Sequence, residues 1–86
     1  LGKATIDKYI EKKINTIFIN DDGSIIFNDK PIAFSNLSKV VASIKDKSEL
    51  MVAADKELSA FRLNQVLLVL AKQDIKKILI MTSKND

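Results

Sequence analysis

Asp21 and Asp22 form the only adjacent carboxylate pair in the sequence, and a metal site or an acid/base pair would draw on such a cluster. A calcium loop needs further oxygen ligands and a glutamate downstream at set spacing, and these are absent. Placed before Gly23, the two aspartates instead have the chemistry of a tight turn. Asp55 closes the apolar run Leu50 to Ala54, at the kind of strand end where open α/β sheets bind ligands. Its other reading is a loop carboxylate that accepts from backbone N–H groups ahead of the next helix. Serine and threonine hydroxyls have no histidine to activate them, because the chain contains no His, and with no Cys there is neither a thiolate nor a soft metal ligand. Gly2 and Gly23 are the only glycines, so a Gly-rich phosphate cradle is missing. No catalytic residue, no metal and no cofactor is expected, and the remaining class is a domain that binds.

The 86 residues, 9.6 kDa in all, make one small domain. With 47% apolar and 29% charged residues the chain has the material for a core, unlike a disordered segment. A domain of this size buries only about 60% of its unfolded surface, so its core is thin and dimerisation would add to its stability. Fourteen Lys+Arg against eleven Asp+Glu give +3, and Arg62 is the only arginine. Nucleic-acid binders concentrate arginine and aromatics, whereas these lysines are scattered, so the basic pI of 9.2 reads as a solvated surface. No apolar run approaches the roughly 18 residues of a membrane span, and no signal-peptide pattern opens the chain. Because Leu1 is not a start Met, any anchor is expected upstream.

These side chains must be held by a short series of elements. Residues 1–13 are charge-rich, with Ile6, Tyr9 and Ile10 at i, i+3, i+4, and read as a flexible linker. Ile14 to Ile19 is β-branched and aromatic, Asp21-Asp22-Gly23 turns the chain, and Ile25-Ile26-Phe27 forms a second strand. Asn28-Asp29 is another tight-turn pair, leading to Lys30-Pro31-Ile32, an edge strand because proline cannot donate to a ladder. Ser35 is placed to cap a helix carrying Leu37, Val40, Val41 and Ile44. Leu50 to Ala54 follows as a buried or centrally paired strand, Ser59 caps a second helix to about Gln73, and Ile78 to Met81 closes the domain. A strand, helix and strand of these lengths make 50–54 and 78–81 a right-handed parallel pair. The expected fold is α+β, two helices on one face of a small mixed sheet in the order β-β-β-α-β-α-β, spanning 14–82 with a disordered tail at 83–86.

Two features bear on binding. With Leu63, Val66, Leu67 and Leu70 turned inward, Phe61 and Leu68 fall together on the opposite side of the second helix, an i, i+7 pair that is either scattered surface or a partner patch. Phe18 and Phe27 stand on neighbouring strands and are either core or a stacking pair for nucleic acid, although no basic stretch of the RNP type surrounds them.

The order of Asp22-Gly23-Ser24-Ile25, Asn28-Asp29-Lys30-Pro31-Ile32, a helix opening with a leucine, Ala54-Asp55-Lys56, a second helix and Ile75-Lys76-Lys77-Ile78 resembles the periplasmic domain of ExbD/TolR proteins from about Ile17 to Thr82. Leu1-Gly2-Lys3-Ala4 is similar to the LPxA-like segment after the ExbD membrane helix, with glycine in the place of proline, and Ala54-Asp55-Lys56 favours the ExbD side over TolR. The chain departs from the family pattern at Ala60, where an aromatic is frequent, and at Gln73-Asp74, where an Ala-Gly pair is usual; Asp74 would then take the left-handed conformation itself. The resemblance implies a homodimer anchored in the inner membrane by one N-terminal helix, assembled with an ExbB-type protein as a proton-driven motor, its periplasmic domain engaging TonB. The family's proton-carrying aspartate belongs to that helix and matches no residue of this chain. Phe61 and Leu68, with the strand edge Ile78, Leu79, Ile80 and Met81, are the expected partner-binding residues. Two alternatives stand beside this reading: a TolR-like domain that binds peptidoglycan, and a small cytoplasmic nucleic-acid binder using the +3 charge.

Overall fold

Alternation along one strand organises the molecule. In the computed structural model, which describes residues 13–83, β1 (Asn15–Ile19) turns Ile17 and Ile19 into the core, fully buried, while Thr16 and Phe18 point to the other face. β2 (Ile25–Phe27) and β3 (Lys30–Ile32) run antiparallel to one another, and β2 pairs antiparallel with β1. β4 (Leu50–Asp55) lies parallel to β1, and β5 (Ile78–Ser83) parallel to β4. The five-stranded sheet has the order β3-β2-β1-β4-β5, so Pro31 sits on an edge strand and Leu50–Asp55 lies inside.

The crossovers place the helices. α1 (Phe34–Ala42) joins β3 to β4 and α2 (Ala60–Ala71) joins β4 to β5, both stepping in the same direction across the sheet. Right-handed connection of parallel strands then puts both helices on one face, where Leu37, Val41, Val66 and Leu70 close over Ile17, Ile25, Leu50 and Val52. The α+β arrangement, with the last two strands parallel, is the one the pattern of apolar residues led to.

Local details differ at both helix boundaries. Ser35 does not cap α1: the cap position is Ala33, extended at φ −77°, ψ 147°, with no side-chain hydrogen bond. Phe34 packs against the core as the first helical residue, and its burial outweighs the roughly 1 kcal/mol a serine cap contributes. Ser59 caps α2 as expected, its Oγ accepting from Arg62 N at 3.2 Å. α2 ends at Lys72 in right-handed conformation (φ −88°), and Asp74 does not adopt the left-handed one. The end of α1 is held by Lys47, whose Nζ donates to the carbonyls of Ala42 (3.0 Å) and Ile44 (2.6 Å). Left-handed backbone appears at Asn28 (φ 46°) and Asp29 (φ 71°), the pair that turns β2 into β3. The segments 1–12 and 84–86, with most of the expected linker and tail, lie outside the described residues.

Candidate functional site

The carboxylates resolve into turn chemistry. Asn20–Ser24 closes on itself, Gly23 N donating to Asn20 O and Asn20 N to Ser24 O, each at 2.9 Å, and Gly23 takes φ +88°. The Asp22 carboxylate accepts from Ser24 N at 2.9 Å. The Ser24 hydroxyl first, and its amide second, hold Asp22 below the ordinary carboxylate range. Asp55 is 6% exposed, and its Oδ1 accepts from Glu57 N at 2.9 Å in the turn before α2. That bond is the loop-capping role. Among the described residues no three His, Cys, Asp or Glu side chains converge on a metal position.

Phe18 and Phe27 cannot form a stacking pair. Phe18 pairs with Ile26 while Phe27 pairs with Ile17, and residues directly opposite in an antiparallel pair share a face. Phe27 therefore packs with the core and Phe18 faces away from the helices. That helix-free face carries a row missed by sequence reasoning: Pro31, Ile26, Phe18, Ala53 and Met81 stand side by side across all five strands. Only the strand pairing assembles it, and no local signal marks it. Beside it, an open trough of about 710 Å³ is lined by Phe18 and Ile26 together with Asn15, Thr16, Asn28 and Asp29.

The expected partner-binding residues divide into two surfaces. Phe61 and Leu68 stand 75% and 65% exposed on the outer side of α2, while Val66 and Leu70 are fully buried, so the helical geometry places both pairs as expected. Ile78 and Leu79 are half-buried, Ile78 packing against the core, and Ile80 and Met81 are exposed. Ile80 pairs with the buried Val52, yet it remains exposed because β5 is the last strand of the sheet. At the N-terminal end of α2, Phe61 lines a smaller depression of about 260 Å³ with Asp21, Asp22, Leu58 and Gln65. Arg62 lines it too, donating from Nε to Gly23 O (3.1 Å) and from Nη1 to Gln65 Oε1 (3.0 Å), with its guanidinium 4.5 Å from the centre of the Phe34 ring. The first surface is an exposed apolar stretch of helix, and the second belongs to β5, which ends the sheet among the described residues.

The model of the family described as biopolymer transport protein ExbD/TolR matches residues 2–85, nearly the whole chain. The chain belongs to the ExbD/TolR family. Comparison with curated proteins finds no match. Membership covers the sheet, both helices and the turns that precede them, and it makes this a domain of a transport protein. Among the described residues of this ExbD/TolR domain no helix is long and apolar enough to cross a membrane.

Proposed function

We propose that the chain is the periplasmic domain of an ExbD-type energy transducer, a single-pass inner-membrane protein that acts with an ExbB-type protein and passes the effect of the proton-motive force to TonB for outer-membrane uptake. The observation that carries this reading is the family match over residues 2–85. The Ala54-Asp55-Lys56 stretch at the end of β4 favours the ExbD side. The domain couples mechanically and performs no chemistry of its own. Its contacts run through Phe61 and Leu68 on α2 and through the β5 edge, Ile78 to Met81, where an extended TonB segment or a second copy adds a strand.

The test is site-specific photo-crosslinking in membranes that hold the full-length protein with its ExbB-type and TonB-type partners. Crosslinkers at Phe61, Leu68, Ile80 and Met81 are expected to capture the TonB-type protein or a second copy, in a pattern that changes when the proton gradient is collapsed. Capture at control positions only, such as Lys30 and Lys39, overturns the surface assignment. Cosedimentation of the purified domain with cell-wall sacculi moves the assignment to the TolR side; a domain that stays in the supernatant supports the ExbD one.

A further inference from the structure

The face of the sheet opposite the helices is apolar in two rows. Pro31, Ile26, Phe18, Ala53 and Met81 make the first, and Met51 and Leu79, paired beside Thr16, make the second. Along these rows Thr16 is the only polar side chain, and none is charged. Sheets built on parallel strands are normally covered on both faces, and β1, β4 and β5 are parallel. Phe18 and Ile26 stand outside the core cluster and are only half-buried, along the trough that Lys13, Ile14, Asn15 and Thr16 also line. The trough therefore begins where residues 1–12, which lie outside the described residues, join the sheet.

The sequence of that stretch carries the matching pattern. At 100° per residue Ile6, Tyr9 and Ile10 fall within about 100° of one another, and Asp7, Lys8, Glu11 and Lys12 occupy the rest of the turn. A helix over residues 5–12 is about 12 Å long and spans β2, β1 and β4, whose outer two stand about 10 Å apart. So short a helix is marginal in water, and packing against an apolar surface is what would hold it. The uncharged face beside it takes the apolar stripe and leaves the charged side chains to solvent. We propose that residues 5–12 fold as an amphipathic helix into this trough, setting Ile6, Tyr9 and Ile10 on Phe18 and Ile26. The stretch expected as a linker is then partly a cover for the sheet. Docking is independent of the transport role, and only one consequence rests on it. In a protein anchored ahead of Leu1, release would lengthen residues 5–12 from about 12 Å to about 28 Å and extend the reach of the domain.

Tyr9 is the only tyrosine and the chain has no Trp, so its fluorescence reports on this stretch alone. In the purified 86-residue chain Tyr9 is expected to be shielded from acrylamide, and the shielding to be lost in concentrated urea. Ile6→Asp combined with Ile10→Asp is expected to abolish the shielding in native buffer. Ile26→Asn, on the sheet side of the contact, is expected to do the same. In NMR spectra the double variant is expected to move the Ile26 and Ala53 methyl resonances and to leave those of the buried Leu37 and Leu70 in place, which shows the core intact. A Tyr9 quenched equally in the native and the urea-denatured chain overturns the proposal. So does shielding that survives both the double variant and Ile26→Asn, or shielding that appears only as the protein concentration is raised, since the cover is then a second copy. Resonance changes confined to Phe61 and Leu68 place the stretch on α2 and overturn it as well. Capture of the TonB-type protein by a crosslinker at Ile26 in membranes, with Tyr9 unshielded in the purified chain, removes this inference and leaves the functional reading standing.

Discussion

Arg62 ties three elements together, and it does so with a geometry no lysine reproduces. Its Nε reaches the Gly23 carbonyl, its Nη1 reaches Gln65, and its plane lies over Phe34, so the β1–β2 turn, α2 and the start of α1 share one side chain. Arg62→Ala is expected to destabilise the domain by about 1–3 kcal/mol in urea unfolding, the range for losing hydrogen bonds to a charged donor. Arg62→Lys is expected to recover less than half of that loss. Gly23→Ala meets the same cluster from the other side: at φ +88° its new Cβ would stand 3.1 Å from Arg62 Nε and 3.3 Å from Arg62 Cγ. Its cost is expected to be about 1–2 kcal/mol from the backbone conformation alone. Asp22 supplies a pH signature at the same turn. Because its folded pKa is depressed by Ser24, the stability it contributes is present above the unfolded value near 3.9 and is lost as pH falls through the folded one. Ser24→Ala removes the hydroxyl, the larger of the two causes, so the Asp22 carboxyl resonance is expected to titrate at higher pH than in the unmodified chain. An unmoved midpoint in an NMR titration would assign the depression to other groups.

The two sides of α2 make opposite claims on stability. Leu70 is fully buried and Leu68 is 65% exposed, two positions apart in one helix. Leu70→Ala is expected to cost about 2–5 kcal/mol, as truncation in a packed core does, while Leu68→Ala leaves the folded monomer within about 0.5 kcal/mol. Equal costs in chemical denaturation would mean that the helix is turned differently from the arrangement described. This division was legible in the sequence because a helix carries its own geometry: the turn per residue is fixed, and Leu63, Val66, Leu67 and Leu70 suffice to set the inward side. The hairpin was legible for the same reason, since Asn28-Asp29 and Pro31 act within a few residues of where they stand. The row of Pro31, Ile26, Phe18, Ala53 and Met81 was not, because it depends on β1 pairing with β4 across a separation of more than thirty residues. No local pattern encodes such a pairing. The start of α1 escaped too, where burial of Phe34 prevailed over the capping propensity of Ser35.

At the scale of the whole molecule, four lysines gather at one end of the parallel strands and three aspartates at the other. Asp21, Asp22 and Asp55 stand at the ends where β1 and β4 finish. Lys45, Lys47, Lys76 and Lys77 lie in the two loops that lead into β4 and β5, and backbone bonds from Lys76 N to Lys47 O (2.8 Å) and Leu50 N to Lys77 O (2.9 Å) draw those loops together. The lysines are therefore less scattered in space than along the chain, and that reopens the nucleic-acid alternative on physical grounds. Two observations weigh against it. Asp46, Glu49 and Asp74 occupy the same loops and offset much of the basic field, and the aromatics that would have stacked bases, Phe18 and Phe27, face opposite sides of the sheet. A basic end without a stacking platform retains only counterion release, which salt erases. Titration of a fluorescent single-stranded oligonucleotide at about 50 mM salt is accordingly expected to show no saturation up to about 100 μM protein, the weak end of non-specific binding. Saturation in that range, with affinity falling steeply as salt rises, would instead make the lysine end a nucleic-acid surface, and the protein contacts assigned to α2 and β5 would need a different occupant.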